Sequence, residues 1–356
     1  MKAVVFQRHG GVEVLEHRSD VPVPEVGPGE ALLRVRATAM NHNDIWARTG
    51  LPGMDFMLPH ISGSDAAGVV EAVGDEVIGV RPGDEVIVHG FYACGKCPDC
   101  LDGVPFACSA NPDANETLTN FKVWGFHTGP LQGGQAEYAV LPARCLLPKP
   151  ANLSFEEAAS LGLVLGTVWR MLVVRARIKP GDFVLIWGAA GGLGSMAIQV
   201  CTLFRAHPIA VVSSDEKGRF CRQLGAEHVI NRRSQRVLRE VGKITGRRGV
   251  DVVFEHTGAE TWETSCHALK WAGTIVTCGA TSGFRANLDI RYLWNKQQNY
   301  LGSHCCTRGE LAEALKFVEN GLIRPAVGKI LPLSEIAKAH EMFERREVMG
   351  KIVLVP

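Results

Sequence analysis

The strand-like run Phe183-Val-Leu-Ile-Trp187 leads directly into Gly188-Ala-Ala-Gly191-Gly192-Leu-Gly194-Ser195 and then into an apolar stretch of helical length. Val184 to Phe204 carries no charge over 21 residues. A run this apolar is buried on every side, and the glycines break it in the middle. It therefore reads as strand, tight turn and helix rather than a membrane span. Such a unit opens a crossover to a parallel strand. Further strand candidates follow at Pro208–Val212, His228–Ile230, Val250–Glu255 and Gly273–Cys278, separated by helical stretches. The alternation predicts an α/β fold whose doubly wound parallel sheet spans residues 161–304.

The first 150 residues read differently. Short apolar runs at Lys2–Phe6, Ala31–Val35, Ala67–Val73 and Asp84–Val88 are separated by Gly/Pro turns such as Gly27-Pro28-Gly29 and Arg81-Pro82-Gly83. That spacing predicts a small antiparallel barrel or sandwich. The texture changes after Pro148-Lys149-Pro150, where Ser154-Phe155-Glu156-Glu157 has the form of a capping box. Helices at Gly309–Glu319 and Ser334–Arg345 and a closing strand at Lys351–Val355 complete the pattern. The division expected is residues 1–160 with 305–356 in one domain and 161–304 in the other.

At 356 residues and net charge +1, the chain is long enough for two cores and has no general field toward nucleic acid or an anionic membrane. No secretory leader is evident in MKAVVFQRHGGVEVLE. The expectation is a cytoplasmic enzyme of small-molecule substrates, with neither nucleic-acid nor membrane partners.

Glycines between a buried strand and a helix let the backbone approach a pyrophosphate, held by the free amides of the helix N-terminus. Gly188, Ala189, Gly191, Gly192, Leu193 and Gly194 are thus candidate cofactor contacts, the plainer alternative being a tight structural turn. The second strand selects the dinucleotide. An NAD site offers Asp or Glu there for the ribose hydroxyls. Here the strand ends in Ser213-Ser214, with Lys217 and Arg219 beyond. Hydroxyls and cations suit a 2′-phosphate, so the expected cofactor is NADPH. Asp215 lies beside them and would repel that phosphate, and the two cations also suit a solvated helix face.

Four cysteines, Cys94, Cys97, Cys100 and Cys108, fall within fifteen residues with the spacing C-x2-C-x2-C-x7-C. Four thiolates on one short loop can close a tetrahedral shell around Zn²⁺, leaving no position for substrate. The expectation is one structural zinc per chain, in a lobe at about residues 91–110. Asp99 and Asp102 inside the cluster, and the lack of flanking basic runs, argue against a nucleic-acid module. The other seven cysteines lie mostly in apolar runs and read as reduced core residues.

The cysteine spacing, the AAGGLG loop and the runs GSDAAGVV and RPGDEV resemble the medium-chain dehydrogenase/reductase superfamily over essentially the whole chain. The resemblance implies a GroES-like β-barrel catalytic domain joined to a Rossmann domain, and a homodimer or homotetramer with the sheets paired edge to edge. Ile290–Trp294 and Tyr300–Gly302 are the apolar runs available for that pairing. In zinc alcohol dehydrogenases of this superfamily the catalytic metal is held by Cys, His and Cys. Those positions correspond here to Asn41, Ser64 and Leu163, with an accompanying glutamate at Asp65. Asn and Ser are weak neutral donors and Leu is none. The implied chemistry is hydride addition to a conjugated double bond rather than alcohol oxidation.

Phe183–Ser195, Val211-Val-Ser-Ser214, Val253-Phe-Glu-His-Thr-Gly258, Val276-Thr-Cys-Gly279, Arg291-Tyr-Leu-Trp294 and Gly302-Ser-His304 are similar to the crotonyl-CoA carboxylase/reductase group. These enzymes use NADPH to place hydride on an enoyl-CoA. The resemblance implies Asn43 and His304 as polar groups of the cleft, and His127, where the chain departs from the group, is read as a candidate proton donor to the enolate. It implies Trp46 and Phe126 as substrate-lining residues, and His256, Thr257, Gly258, Cys278 and Gly279 around the nicotinamide. Carboxylating members follow Trp-Gly with an aromatic and a Glu, whereas Trp124-Gly125 is followed here by Phe126-His127. Quinone or enone reduction, an alcohol dehydrogenase with atypical ligands, and a non-catalytic NADPH sensor are the alternatives.

Overall fold

The computed structural model of the chain describes residues 1–54, 56–108, 123–126 and 132–356. Fifteen strands are present among them: β1 Ala3–Val5, β2 Glu16–Arg18, β3 Glu30–Ala39, β4 Ala66–Val73, β5 Glu85–Val88, β6 Tyr138–Pro142, β7 Leu146–Pro148, β8 Phe183–Ile186, β9 His207–Val212, β10 His228–Asn231, β11 Val250–Glu255, β12 Leu269–Thr277, β13 Asn299–Gly302, β14 Val327–Pro332 and β15 Lys351–Val355.

The chain divides into two compact units. The first holds Met1–Leu163, Thr307–Glu319 and Val327–Pro356; the second holds Val164–Cys306 and Asn320–Ala326. The short return of Asn320–Ala326 to the second unit has a local cause. The Gln199 carboxamide brackets the backbone of Arg324, donating to its carbonyl and accepting from its N–H, both at 2.9 Å.

In the first unit a seven-stranded sheet runs β14-β15-β3-β4-β5-β7, with β6 also paired to β3. The pairs of β3 with β4, β6 and β15 are antiparallel, as are β4 with β5 and β5 with β7. β3 reads as an alternating strand: Leu33, Val35 and Ala37 point inward while Arg34 and Arg36 stay exposed. Leu33, Val70, Val86, Trp124, Leu141 and Leu146 close one core of this sheet. A second core gathers Met40, Ile45, Ile336, Ala339 and Leu354 beneath the helices His42–Thr49 and Ile336–Glu344. Ser154 caps the next helix as its sequence predicts, its hydroxyl accepting from Glu157 N at 3.2 Å while the Glu157 carboxylate accepts from Ser154 N.

In the second unit six parallel strands lie in the order β10-β9-β8-β11-β12-β13. Counted from β8, this is 3-2-1-4-5-6, the doubly wound dinucleotide-binding order. The order reverses between β8 and β11, so the crevice at their C-terminal ends is where a ligand is expected. The uncharged run becomes β8, a turn and the helix Gly192–Leu203. Among the described residues no helix is long and apolar enough to cross a membrane.

Two expectations need correction. β12 begins at Leu269 rather than Gly273, with a register shift against β11. Ile290–Trp294 is no pairing strand, because Arg291–Trp294 is a single helical turn. The Asp289 carboxylate accepts from Arg291 N and from its guanidinium at 2.6–3.0 Å, and this local pairing turns the chain.

Candidate functional site

In the second unit the glycine loop lies at the C-terminal end of β8. Gly188 has φ +56°, and a Cβ there would come within 2.9 Å of the His256 ring. Gly194 is required by close approach, since a Cβ would sit 2.4 Å from Ala189 Cα. The added Cβ at Gly191 meets nothing nearer than 3.4 Å, so the loop leaves open space there. His256 donates from Nε2 to the Trp187 carbonyl at 2.9 Å, which ties the end of β11 to the start of the loop.

A buried carboxylate that the sequence did not mark stands behind this arrangement. Glu255, fully buried at the end of β11, accepts from Thr257 N at 2.7 Å, Gly258 N at 3.2 Å, Thr261 Oγ1 at 2.9 Å and Ser265 Oγ at 2.8 Å. Ser265 in turn accepts from the Trp187 indole at 2.8 Å. Four donors on one acid fix the backbone of Thr257 and Gly258. Ser282 closes the facing loop with backbone and hydroxyl bonds to the Thr257 carbonyl, both at 2.7 Å. Cys278 and Gly279 lie at the start of that facing loop, where Cys278 N donates to the Glu255 carbonyl at 3.3 Å.

At the end of β9, Ser214 caps the helix Asp215–Gln223, accepting from Lys217 N at 3.3 Å. Its hydroxyl proton remains to be donated. Asp215 is held by Asn231, whose Nδ2 donates to Oδ1 at 2.8 Å, while Asn231 Oδ1 accepts from Arg233 N at 3.1 Å. Arg232 N bonds the Val212 carbonyl at 2.9 Å, which puts Arg232 beside Ser213. Arg219, Arg232 and Arg233 are exposed. His304, also in this unit, is pushed down to about 4 by burial and then by Arg170, so it is uncharged at neutral pH.

In the first unit the helix His42–Thr49 carries Asn43, which is half-buried, and Trp46. The Trp46 and Phe126 rings lie 6.3 Å apart, and Phe56, which the sequence did not suggest, packs 5.3 Å from Phe126. His60, fully buried, donates from Nε2 to the Gly125 carbonyl at 3.1 Å and holds the segment carrying Phe126. His127 lies outside the described residues.

Beside these rings lies a closed polar cluster. Lys351 Nζ donates to Asn41 Oδ1 at 2.6 Å, to the Met40 carbonyl at 2.7 Å and to Asp65 Oδ2 at 3.1 Å. Asn41 Nδ2 donates to the same Asp65 oxygen at 2.9 Å, and Leu163 N to the other at 2.6 Å. Lys351 is 5% exposed and Asp65 not at all. Nearby, Asp44 accepts from Asn41 N at 2.7 Å, and burial pushes its carboxyl up to about 7.

The four cysteines converge, with all four sulfurs within 4.8 Å of one another. Cys94 and Cys100 lie 3.9 Å apart at sulfur, as do Cys97 and Cys108. Zn–S bonds of about 2.3 Å at tetrahedral angles place sulfurs about 3.8 Å apart, so the donor set fits a closed zinc shell. Backbone N–H groups of Cys94 and Cys97 point at Cys108 and Cys94 sulfurs, at 3.4 and 3.3 Å. Such donors suit thiolate charge.

Residues 27–151 match the family described as alcohol dehydrogenase GroES-like domain, and residues 192–320 match zinc-binding dehydrogenase. The crotonyl-CoA reductase of Streptomyces avermitilis is 38% identical over 94% of this chain and 81% of its own length. The chain is a medium-chain dehydrogenase/reductase. As such it is an oxidoreductase. A solved structure of a crotonyl-CoA carboxylase/reductase, AntE, in complex with NADP superimposes with TM-score 0.88 at 33% identity, covering 100% of this chain and 94% of that one. A structure described as an NAD-dependent alcohol dehydrogenase is 41% identical with TM-score 0.92, covering both chains fully.

For a medium-chain dehydrogenase/reductase the test is whether its residues suit a catalytic zinc as well as the structural one. They do not. Both polar atoms of the Asn41 amide and both Asp65 oxygens are already engaged, Leu163 offers only its N–H, and Ser64 Oγ is a buried neutral oxygen. In the sequence Lys351 reads only as the first residue of the closing strand; its partner Asp65 lies 286 residues away, and no local pattern joins them.

Proposed function

We propose that the chain is an NADPH-dependent reductase that transfers hydride to an activated α,β-unsaturated substrate, an enoyl-CoA thioester, without a catalytic metal. The Lys351–Asp65–Asn41 cluster carries the reading, because it engages, in mutually satisfied bonds, residues at and beside the positions that the family resemblance assigns to the metal ligands of zinc alcohol dehydrogenases. Alcohol oxidation without a Lewis acid lacks its main stabilisation of the alkoxide. A conjugated thioester needs no metal: hydride from the nicotinamide adds to the β-carbon, the electron pair moves onto the thioester carbonyl, and the enolate takes a proton at the α-carbon. Relatives named crotonyl-CoA reductase support this substrate class.

In this reading Asn43 and His304 are polar contacts of the substrate, and Trp46, Phe56 and Phe126 line the acyl chain. A neutral His304 acts as a hydrogen-bond partner rather than a cationic acid, and His127 is the proposed proton donor. The cofactor contacts are the glycine loop, His256 with Thr257, Gly258, Cys278 and Gly279, and Ser213, Ser214, Lys217 and Arg219 at the adenosine end. Asn231 supports NADPH over NADH, because its bond to Asp215 Oδ1 anchors that carboxylate, still charged, at the end of β10 instead of leaving it free to turn toward a 2′-phosphate. Arg232 joins the cations there. Cys94, Cys97, Cys100 and Cys108 hold one zinc that braces their loop. β13 ends its sheet with a free edge, and Leu293 and Trp294 are exposed just before it. This favours a homo-oligomer paired at that edge. Eleven free cysteines suit a reducing cytoplasm.

The deciding measurement is NADPH oxidation with crotonyl-CoA, a quinone and an aldehyde, each with and without bicarbonate. Crotonyl-CoA should turn over fastest, NADPH should outperform NADH, and bicarbonate should leave the product uncarboxylated. Fastest turnover of the aldehyde, abolished by a chelator, would return the chain to metal-dependent alcohol chemistry. A quinone preference would favour the enone-reductase alternative.

A further inference from the structure

The net charge of the chain is +1, yet residues 232–249 hold seven arginines and lysines against the single acid Glu240. The helix Val237–Ile244 ends this stretch in an unusual turn. Gly246 and Arg247 both adopt left-handed backbone, at φ +60° and +66°. An arginine there costs on the order of 1 kcal/mol, so the surroundings must hold it. The Thr245 hydroxyl donates to the Val241 carbonyl at 2.8 Å and accepts from Gly249 N at 3.1 Å. Arg247 N bonds the Gly242 carbonyl at 2.7 Å. A Cβ on Gly249 would lie 2.7 Å from the Ala268 carbonyl oxygen, so the turn is pressed against the start of β12.

A groove of about 320 Å³ lies beside this turn. Val241, Ala268 and Leu269 supply buried apolar lining, and Arg247, Arg248, His267 and Lys296 the polar lining. Trp271, which also lines it, is 61% exposed. Among the described residues no carboxylate lines the groove. Neither Arg247 nor Arg248 forms an ion pair or side-chain hydrogen bond among the described residues. Lys296 Nζ sits 4.5 Å over the Tyr292 ring, which His267 meets edge-on at 5.3 Å. Cations after a helix C-terminus gain a few tenths of a kcal/mol from its dipole. The left-handed backbone of Arg247 is held by its own bond to Gly242 and recurs at Arg177, Arg205 and Arg346, but nothing in the turn explains an indole left in water.

An apolar bed, an exposed indole and three permanent cations without a counter-charge are what a flat base carrying phosphates requires. The volume is in the range of small-molecule sites. The groove is separate from the cofactor edge: it opens at the N-terminal ends of β11 and β12, whereas the glycine loop follows the C-terminal end of β8. The six residues of β11 span about 20 Å between those ends.

We propose that this groove is a second nucleotide site, binding a purine nucleoside diphosphate by stacking on Trp271 and pairing with Arg247 and Arg248. The test counts ADP bound per chain by calorimetry on the full-length, cofactor-free protein. Wild type should bind one more ADP per chain than the double variant Arg247→Gln/Arg248→Gln, with thermal unfolding and NADPH affinity equal in the two. Trp271→Ala should weaken the extra site at least tenfold, and pyrophosphate, which lacks the base, should fill it at least tenfold more weakly than ADP. Equal ADP counts in wild type and double variant would overturn the proposal. So would pyrophosphate binding as tightly as ADP with Trp271→Ala unchanged, which marks a bare charge patch, or oligomerisation that buries Trp271 and blocks ADP.

Discussion

Lys351 and Asp65 show what a single buried pair demands. Removing one partner leaves the other charged and out of water, which costs about 3–5 kcal/mol, whereas removing both costs far less. Lys351→Met should therefore lower the urea midpoint sharply, and Lys351→Met/Asp65→Asn should recover most of the loss. Single and double variants of equal stability would mean that the ammonium is not what balances Asp65. In the second unit, Asn231→Ala frees Asp215. It should weaken NADPH binding about three- to tenfold, on the scale of one lost hydrogen bond, with NADH little changed. Fluorescence titration with both cofactors reads the ratio, and an unchanged ratio removes Asn231 from the specificity argument. Neither pair is visible in the chain as written. Asn231 lies 16 residues from Asp215 and Lys351 286 from Asp65, and nothing in their neighbours marks them as partners.

Elements were far more legible, because their signals are local. The glycine loop declares itself through spacing within eight residues, and the cysteine knuckle within fifteen. The carboxylate of Glu255 escaped notice for the opposite reason: it ends a strand, Val250–Glu255, that otherwise reads as plain core. Its four donors come from the loop and helix that follow. The Ile290–Trp294 run misled because apolar composition does not report the turn imposed by Asp289. For the knuckle, elemental analysis should find one zinc per chain. Cys100→Ser should release it and open the loop near Cys94–Cys108 to protease, while NADPH affinity, which belongs to the other unit, stays within about twofold. Retention of the metal by the serine variant would remove Cys100 from the shell.

At the scale of the whole molecule, desolvation disfavours the charged form of three histidines among the described residues. Burial pushes His340 down to about 3 and His304 to about 4, and lowers His60. In an unfolded chain each titrates near 6.5. Below that pH the unfolded chain binds protons that the folded one refuses, so stability is full above about 6.5 and falls as the solution is acidified. Asp44, raised to about 7, acts in the opposite sense: the fold keeps a proton there that the unfolded chain gives up, so its contribution improves toward acid. His340 and His304 against Asp44 predict a net loss on the order of 1 kcal/mol between pH 7 and 5, and His60 adds to it in the same direction. Thermal unfolding across that range measures it, and His340→Leu should reduce the loss. A melting temperature that is flat or rises toward pH 5 would contradict the assignment. The division of the chain has a further consequence during synthesis. β15 pairs with β3, so the barrel sheet stays open along that strand until Lys351–Val355 leave the ribosome. Asp65 waits for its ammonium until Lys351 emerges, by which time the intervening Rossmann unit can already have folded. A nascent chain stalled before that point carries an unbalanced buried acid, which gives quality control a physical mark of unfinished translation.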